Sequence, residues 1–111
     1  MSAFLVTFVT AKSLDWVGEY LSNVPPILRG HGGTYLAVAK GIPNAVELVE
    51  GTAPAPHSIA VMTFPSMDAL KGFLNAPEYA PYKEARIAAT ESNFFAFEND
   101  DDAPQFVGQS N

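Results

Sequence analysis

Two kinds of apolar spacing alternate along the chain, one predicting strands and the other helices. Ala3–Thr10 (AFLVTFVT) is rich in Phe, Val and Thr and places apolar side chains on both faces of an extended segment. That pattern predicts a strand covered on both sides rather than a half-wet edge. Val17, Leu21, Val24 and Leu28 then recur at spacings of four, three and four, the buried stripe of an amphipathic helix. Ser13 is its expected N-cap, with Asp15 and Glu19 placed to favour the positive end. Pro25 and Pro26 each remove a backbone donor and crowd the preceding turn. The helix is therefore predicted to reach about Asn23, with a separate turn or short helix through Leu28 and a stop at Gly30, Gly32 and Gly33.

Thr34–Lys40 reads as a second strand. Gly41–Asn44 punctuates the chain, and Ala45–Glu50 resumes extended character, as in a hairpin or a bent continuation of the same strand. Gly51–Pro56 is a loop, and Ser58–Phe64 (SIAVMTF) is again a covered strand. Ser66 is placed to cap a second helix whose Met67, Leu70, Phe73 and Leu74 share one face. Pro77 and Pro81 allow only short helical pieces around Tyr79, followed by a helical turn or two from Tyr82 to about Thr90. Asn93–Glu98 is the last predicted strand, with Phe94, Phe95 and Phe97 giving bulk to both faces.

This order is the ferredoxin-like β-α-β-β-α-β pattern, an α+β fold with helices on one face of an antiparallel sheet. Helices cover one face only, yet the first and last strands are apolar on both. A second copy of the chain is the simplest cover, because closed two-fold dimers are the commonest soluble assembly. Two facing sheets would enclose a lumen lined by alternate strand residues, a dimeric α+β barrel. Residues 1–98 are expected to form this domain, and 99–111 an acidic, flexible tail.

Several short motifs sharpen the picture: Val24-Pro25-Pro26 at the end of the first helix, Gly32-Gly33 before a strand, and Leu48-Val49-Glu50-Gly51 after one. Phe64-Pro65-Ser66-Met67 leads into a helix, and Asn75-Ala76-Pro77-Glu78-Tyr79 is followed by Arg86 and Ser92. From about Ala3 to Glu98 the chain resembles a bacterial family of small uncharacterised proteins in the dimeric α+β barrel superfamily, near the NIPSNAP-like and EthD-like groups. The resemblance implies a ferredoxin-like protomer and a barrel formed by dimerisation, and it implies no activity. The wider superfamily includes cofactor-independent monooxygenases, haem-degrading enzymes, lactone isomerases and plain ligand binders, among which fold-level analogy does not choose. The chain departs from the family pattern in longer Gly41–Asn44 and Thr52–Pro56 stretches and in its acidic tail.

Composition narrows the function classes. Of 111 residues, 48% are hydrophobic and 16% charged, enough for one core. The net charge is −6, with Asp100, Asp101 and Asp102 supplying half of it, so no basic surplus favours nucleic acid or anionic membranes. The absence of Cys removes disulfides, thiolate nucleophiles and Cys-ligated metals. No apolar run approaches the roughly 20 residues of a spanning helix, and Met1–Val9 lacks a basic signal-peptide start, so a cytoplasmic location is expected.

Four side chains are candidates for a ligand site. Arg86 lies four residues after Tyr82 and seven after Tyr79, and its planar fork of donors suits a carboxylate or an enolate oxygen. A structural ion pair with Glu50, Glu84 or an acid of a second chain is the alternative for Arg86. Tyr20, at the edge of the first helix's apolar stripe, is either a core residue with a satisfied hydroxyl or a hydrogen-bond donor. If the resemblance holds, Tyr79 belongs with Arg86 at the barrel border. His57, at the mouth of a strand, is the better of the two imidazoles for moving a proton. His31 sits between glycines in a turn. A haem would need His31 or His57 as an axial ligand. No metal-ligand spacing, nucleophile elbow or phosphate cradle occurs, so no metal or organic cofactor is expected. The sequence thus leads to a homodimer expected to bind or transform a small organic acid or carbonyl compound in the barrel pocket without a metal. A non-catalytic binding or protein-interaction module is the other reading.

Overall fold

The computed structural model describes residues 2–41 and 44–100. The chain forms β1 (Ala3–Ala11), α1 (Val17–Gly30), β2 (Thr34–Val38), β3 (Ser58–Phe64), α2 (Met67–Leu74), α3 (Ala80–Ala89) and β4 (Thr90–Glu98). The four strands make one antiparallel sheet in the order β2-β3-β1-β4, with the helices on one side. The ferredoxin-like pattern is therefore present, with the second helical region divided into α2 and α3. No helix among the described residues is long and apolar enough to cross a membrane. The acidic tail expected from residue 99 lies, beyond Asp100, outside the described residues.

The local expectations fail at four places, each for a physical reason. Helix α1 runs unbroken through Pro25 and Pro26 to Gly30. The prolines would otherwise donate to the carbonyls of Leu21 and Ser22, and both of those residues are exposed, so water can satisfy what the prolines leave free. Ser13 does not cap this helix. Its hydroxyl accepts from Asp15 N at 3.2 Å and its carbonyl accepts from the Trp16 indole at 2.7 Å, closing a turn one step earlier. Ala45–Glu50 pairs with no strand, and β2 ends at Val38 rather than Lys40. Finally, α3 passes into β4 without a loop. The Thr90 hydroxyl donates to Arg86 O at 2.6 Å and so closes the helix end where the strand begins.

The packed core occupies one end of the sheet. Leu5, Met62 and Phe64 from the strands meet Val24 and Leu28 of α1 and Phe73 of α2. The Phe73 ring stacks on Tyr79 at 4.5 Å between centroids and lies 5.7 Å from Phe64. Burial of this cluster is the main favourable contribution to folding. Ser66 begins α2 as expected, its hydroxyl accepting from Ala69 N at 3.0 Å. Away from the helices, the sheet presents Phe4, Val6 and Phe8 beside Phe95 and Phe97, which are 59% and 51% exposed. Phe4 pairs directly with Phe97 and Phe8 diagonally with Phe95, at centroid distances of 5.4 and 5.8 Å.

Gly33 shows how closely α1 and the sheet approach. A Cβ there would stand 2.5 Å from Leu28 and 2.7 Å from Phe64, two buried side chains with nowhere to move. Gly33→Ala is expected to lose about 1–3 kcal/mol by overpacking. Gly72→Ala, on the exposed surface of α2 with only His31 at 3.8 Å, is expected to gain roughly 0.5–1 kcal/mol. Urea denaturation of the two variants checks both signs.

Candidate functional site

The register of the sheet creates a cavity beside the core, with Leu5, Met62, Val24, Leu28 and Phe73 of the core forming part of its wall. On the helix side, one row across the strands is Tyr35, Met62, Leu5 and Ala96, and its three large side chains line the cavity floor nearest the core. The next row is Val38, Ala60, Thr7 and Phe94, and the row beyond it is Ser58, Val9 and Ser92. Small residues at the centre of these two rows leave the floor low while α1 continues overhead. The result is a cavity of about 710 Å³ between sheet and helix. It lies within one chain, on the helix-covered face, and not in the lumen expected between two facing sheets.

The α1 stripe divides accordingly. Val24 and Leu28 are buried where core and cavity meet, whereas Leu21 is 62% exposed and forms the cavity rim with Leu14 and Val38. Trp16 and Val17 complete the wall above the floor.

At its buried end the cavity meets Arg86. This side chain turns inward from α3 and is only 5% exposed, with its guanidinium 4.0 Å above the Phe94 ring. No carboxylate among the described residues lies within ion-pair distance of it, and its Nε is buried with no hydrogen-bond partner. Neither Glu50 nor Glu84 is its partner. The aromatic face returns about 0.5–2 kcal/mol, less than the several kcal/mol that withdrawing a charge from water costs. Chemically, such a guanidinium has donors suited to an anion or a polarised carbonyl oxygen.

Beside it, Tyr20 of α1 lines the cavity, and its hydroxyl lies 2.7 Å from that of Tyr79. Tyr79 is fully buried and has no other hydrogen-bond partner for that hydroxyl. Were Tyr79 the acceptor, its own proton would be sealed in without an acceptor. The satisfied arrangement has Tyr79 donating to Tyr20, which leaves the Tyr20 proton free to donate to an occupant. Burial first, then the adjacent Tyr79, push the Tyr20 phenol far above the ordinary tyrosine range, and Arg86 opposes this only in part. Burial likewise raises Tyr35. Tyr20 is therefore a neutral donor and not a base.

Of the four side chains singled out in the sequence, Arg86 and Tyr20 thus meet at one cavity, and Tyr79 stands one hydrogen bond behind them. His57 stands apart. Its Nδ1 accepts from Ala11 N at 3.0 Å, which places the proton of the neutral ring on Nε2 and fixes the end of β1, and it does not line the cavity. His31 pairs through Nε2 with Glu78 at 2.9 Å, tying the end of α1 to the turn before α3. With both imidazoles engaged outside the cavity, its lining does not fit haem. Sequence reasoning missed Thr7, Phe94 and Trp16. The signal for Thr7 was a hydroxyl in a covered apolar strand, and the register needed to read it comes only with the fold.

Residues 2–100 match the family described as "Domain of unknown function (DUF1330)". Among solved structures, a protein of unknown function from Rhodopseudomonas palustris is similar with a TM-score of 0.71 at 14% identity, over 88% of this chain and 82% of that one. SnoaB, a cofactor-independent oxygenase from Streptomyces nogalater, is similar at TM-score 0.60 and 13% identity, over 89% and 93%. A dimeric ferredoxin-like protein of unknown function from Thermobifida fusca matches at TM-score 0.60 and 12% identity, over 89% and 92%. At these identities the likeness shows the fold alone. No curated protein matches the chain.

The raised Tyr20 pKa makes stability depend on alkaline pH. The folded protein keeps a proton that the unfolded chain loses at about pH 10, so this contribution is intact below that pH and falls as pH rises past it. Tyr20→Phe is expected to make the alkaline loss of stability shallower, measured by urea denaturation across a pH series. An unchanged slope would contradict the assignment.

Proposed function

The chain belongs to the DUF1330 family, and from the cavity that its fold encloses we propose that it binds a small, largely apolar organic acid or carbonyl compound. One observation carries the reading: Arg86 is buried, has no carboxylate partner and keeps an unpaired Nε at the inner end of an apolar cavity. Its guanidinium takes the anionic or carbonyl oxygen, Tyr20 donates a second hydrogen bond, and Tyr79 holds Tyr20 in place. The volume falls within the roughly 300–1,000 Å³ usual for small-molecule sites. Ligand enters acid-first past the rim of Leu14, Leu21 and Val38, whose exposed apolar side chains suit its apolar end.

Binding is favoured over proton abstraction from carbon, because the cavity lining among the described residues includes no carboxylate and no imidazole. His57 has no role in this reading beyond its bond to Ala11. Oxygenation, the activity of SnoaB, belongs to a protein 13% identical and carries no weight for this chain.

The apolar outer face of the sheet supports assembly as a homodimer. Phe95 and Phe97 stand more than half exposed beside the apolar row of β1, and a second sheet laid over them would remove that area from water. The dimeric ferredoxin-like relative from Thermobifida fusca is consistent with this arrangement. The double change Phe95→Glu and Phe97→Glu is expected to yield a folded monomer by sedimentation velocity, and an unaltered sedimentation coefficient would remove the interface from that face.

Phenylacetate is a suitable probe of the cavity. Saturating ligand stabilises a folded protein by mass action, so calorimetric binding and a raised melting temperature are expected together. Arg86→Met should abolish both while leaving the melting temperature of the ligand-free protein equal or higher, since it removes an unpaired buried charge. A clear drop in that melting temperature, with phenylacetate binding retained, would make Arg86 a structural residue.

A further inference from the structure

Three polar or charged residues are buried among the described residues: Thr7, Arg86 and Thr90. Thr90 is satisfied within the chain, donating to the carbonyl of Arg86 and sharing a hydrogen bond with Ser92. The other two are not. Arg86 keeps a buried, unpaired Nε, while the Thr7 hydroxyl makes no hydrogen bond to the described residues and, unlike that Nε, is open to the cavity. Both line the same cavity. They are also neighbours through one ring, because Thr7 is the register partner of Phe94 and Phe94 carries the Arg86 guanidinium on its face.

The geometry points to Thr7 as a specificity-determining residue, reading a hydroxyl or oxo oxygen adjacent to the acid group that Arg86 anchors. Its place in the sheet explains why. Thr7 stands 4% exposed between Leu5 and Val9 on the helix-side face of β1, where valine would fill the same space without offering a hydroxyl to the cavity. Ala60, its partner on β3, is too short to cover it, so the hydroxyl faces the cavity instead of a neighbouring side chain. A hydroxyl can both donate and accept, which fits either an alcohol or a carbonyl oxygen, whereas Arg86 and Tyr20 only donate to the anion. The ligand class is then a 2-hydroxy or 2-oxo acid with an apolar body, rather than a plain apolar acid. This inference rests on the binding reading above.

Two acids that differ only in that oxygen test it: phenylacetate and its 2-hydroxy derivative, mandelate, titrated by calorimetry. Wild-type protein is expected to prefer mandelate by about three- to tenfold, the worth of one hydrogen bond. Thr7→Val should bind both acids alike with its phenylacetate affinity unchanged, and Thr7→Ser, which restores a hydroxyl, should recover the preference. No preference in the wild type, or an equal preference in Thr7→Val, overturns the assignment of Thr7 while phenylacetate binding lost in Arg86→Met leaves the anion site standing. Failure of both acids to bind the wild type overturns the site and this inference together.

Discussion

Arg86 keeps its charge inside the protomer against the cost of leaving water, and its surroundings divide that cost between them. The Phe94 ring offers its negative face to the guanidinium, and the Thr90 hydroxyl closes the helix end from which the side chain turns inward. Nothing in the described chain supplies the opposite charge. An apolar residue of similar length would pack there at lower cost, so retention of an unneutralised arginine is most simply understood through what enters the cavity. The tyrosine pair follows the same logic: Tyr79 spends its proton on Tyr20, and Tyr20 stays neutral because burial raises its pKa.

The protomer is accordingly built in two halves. Leu5, Met62 and Phe64 of the strands join Val24, Leu28 and Phe73 in the packed core, and all of these except Phe64 also wall the cavity. Two residues further along β1 the floor drops to Thr7 and Ala60, and the same helix spans open space. The division costs stability at one end, since a cavity forgoes the contacts that a filled core would make. The filled end holds α1 in place over the empty one. The unbroken passage of α1 through Pro25 and Pro26 matters for this reason, since a helix ending at Asn23 would not link the cavity roof to Val24 and Leu28 in the core.

Much of the fold was legible in the sequence because periodicity records burial. The covered strands Ala3–Thr10 and Ser58–Phe64 and the helix begun at Ser66 all read correctly. What local rules misjudged was set by tertiary context: two prolines tolerated because the carbonyls they orphan lie at exposed residues, and a serine capping a turn rather than a helix. Arg86 and Tyr20 were identified from residue chemistry and helical spacing. Thr7 and Phe94 could not be, because their relation to Arg86 exists only once β1 and β4 are in register. Likewise, strand alternation showed that both sheet faces are apolar without showing which of them encloses a cavity.

The anion site proposed at Arg86 is open to one direct observation. The chain has two arginines, Arg86 and the exposed Arg29, so their Nε–H groups give two assignable signals in a ¹H–¹⁵N spectrum. Titration with phenylacetate is predicted to move the Arg86 Nε proton downfield and saturably, as an unpaired donor acquires a carboxylate, while the Arg29 signal stays in place. An Arg86 signal that remains fixed while phenylacetate perturbs other residues would contradict the account.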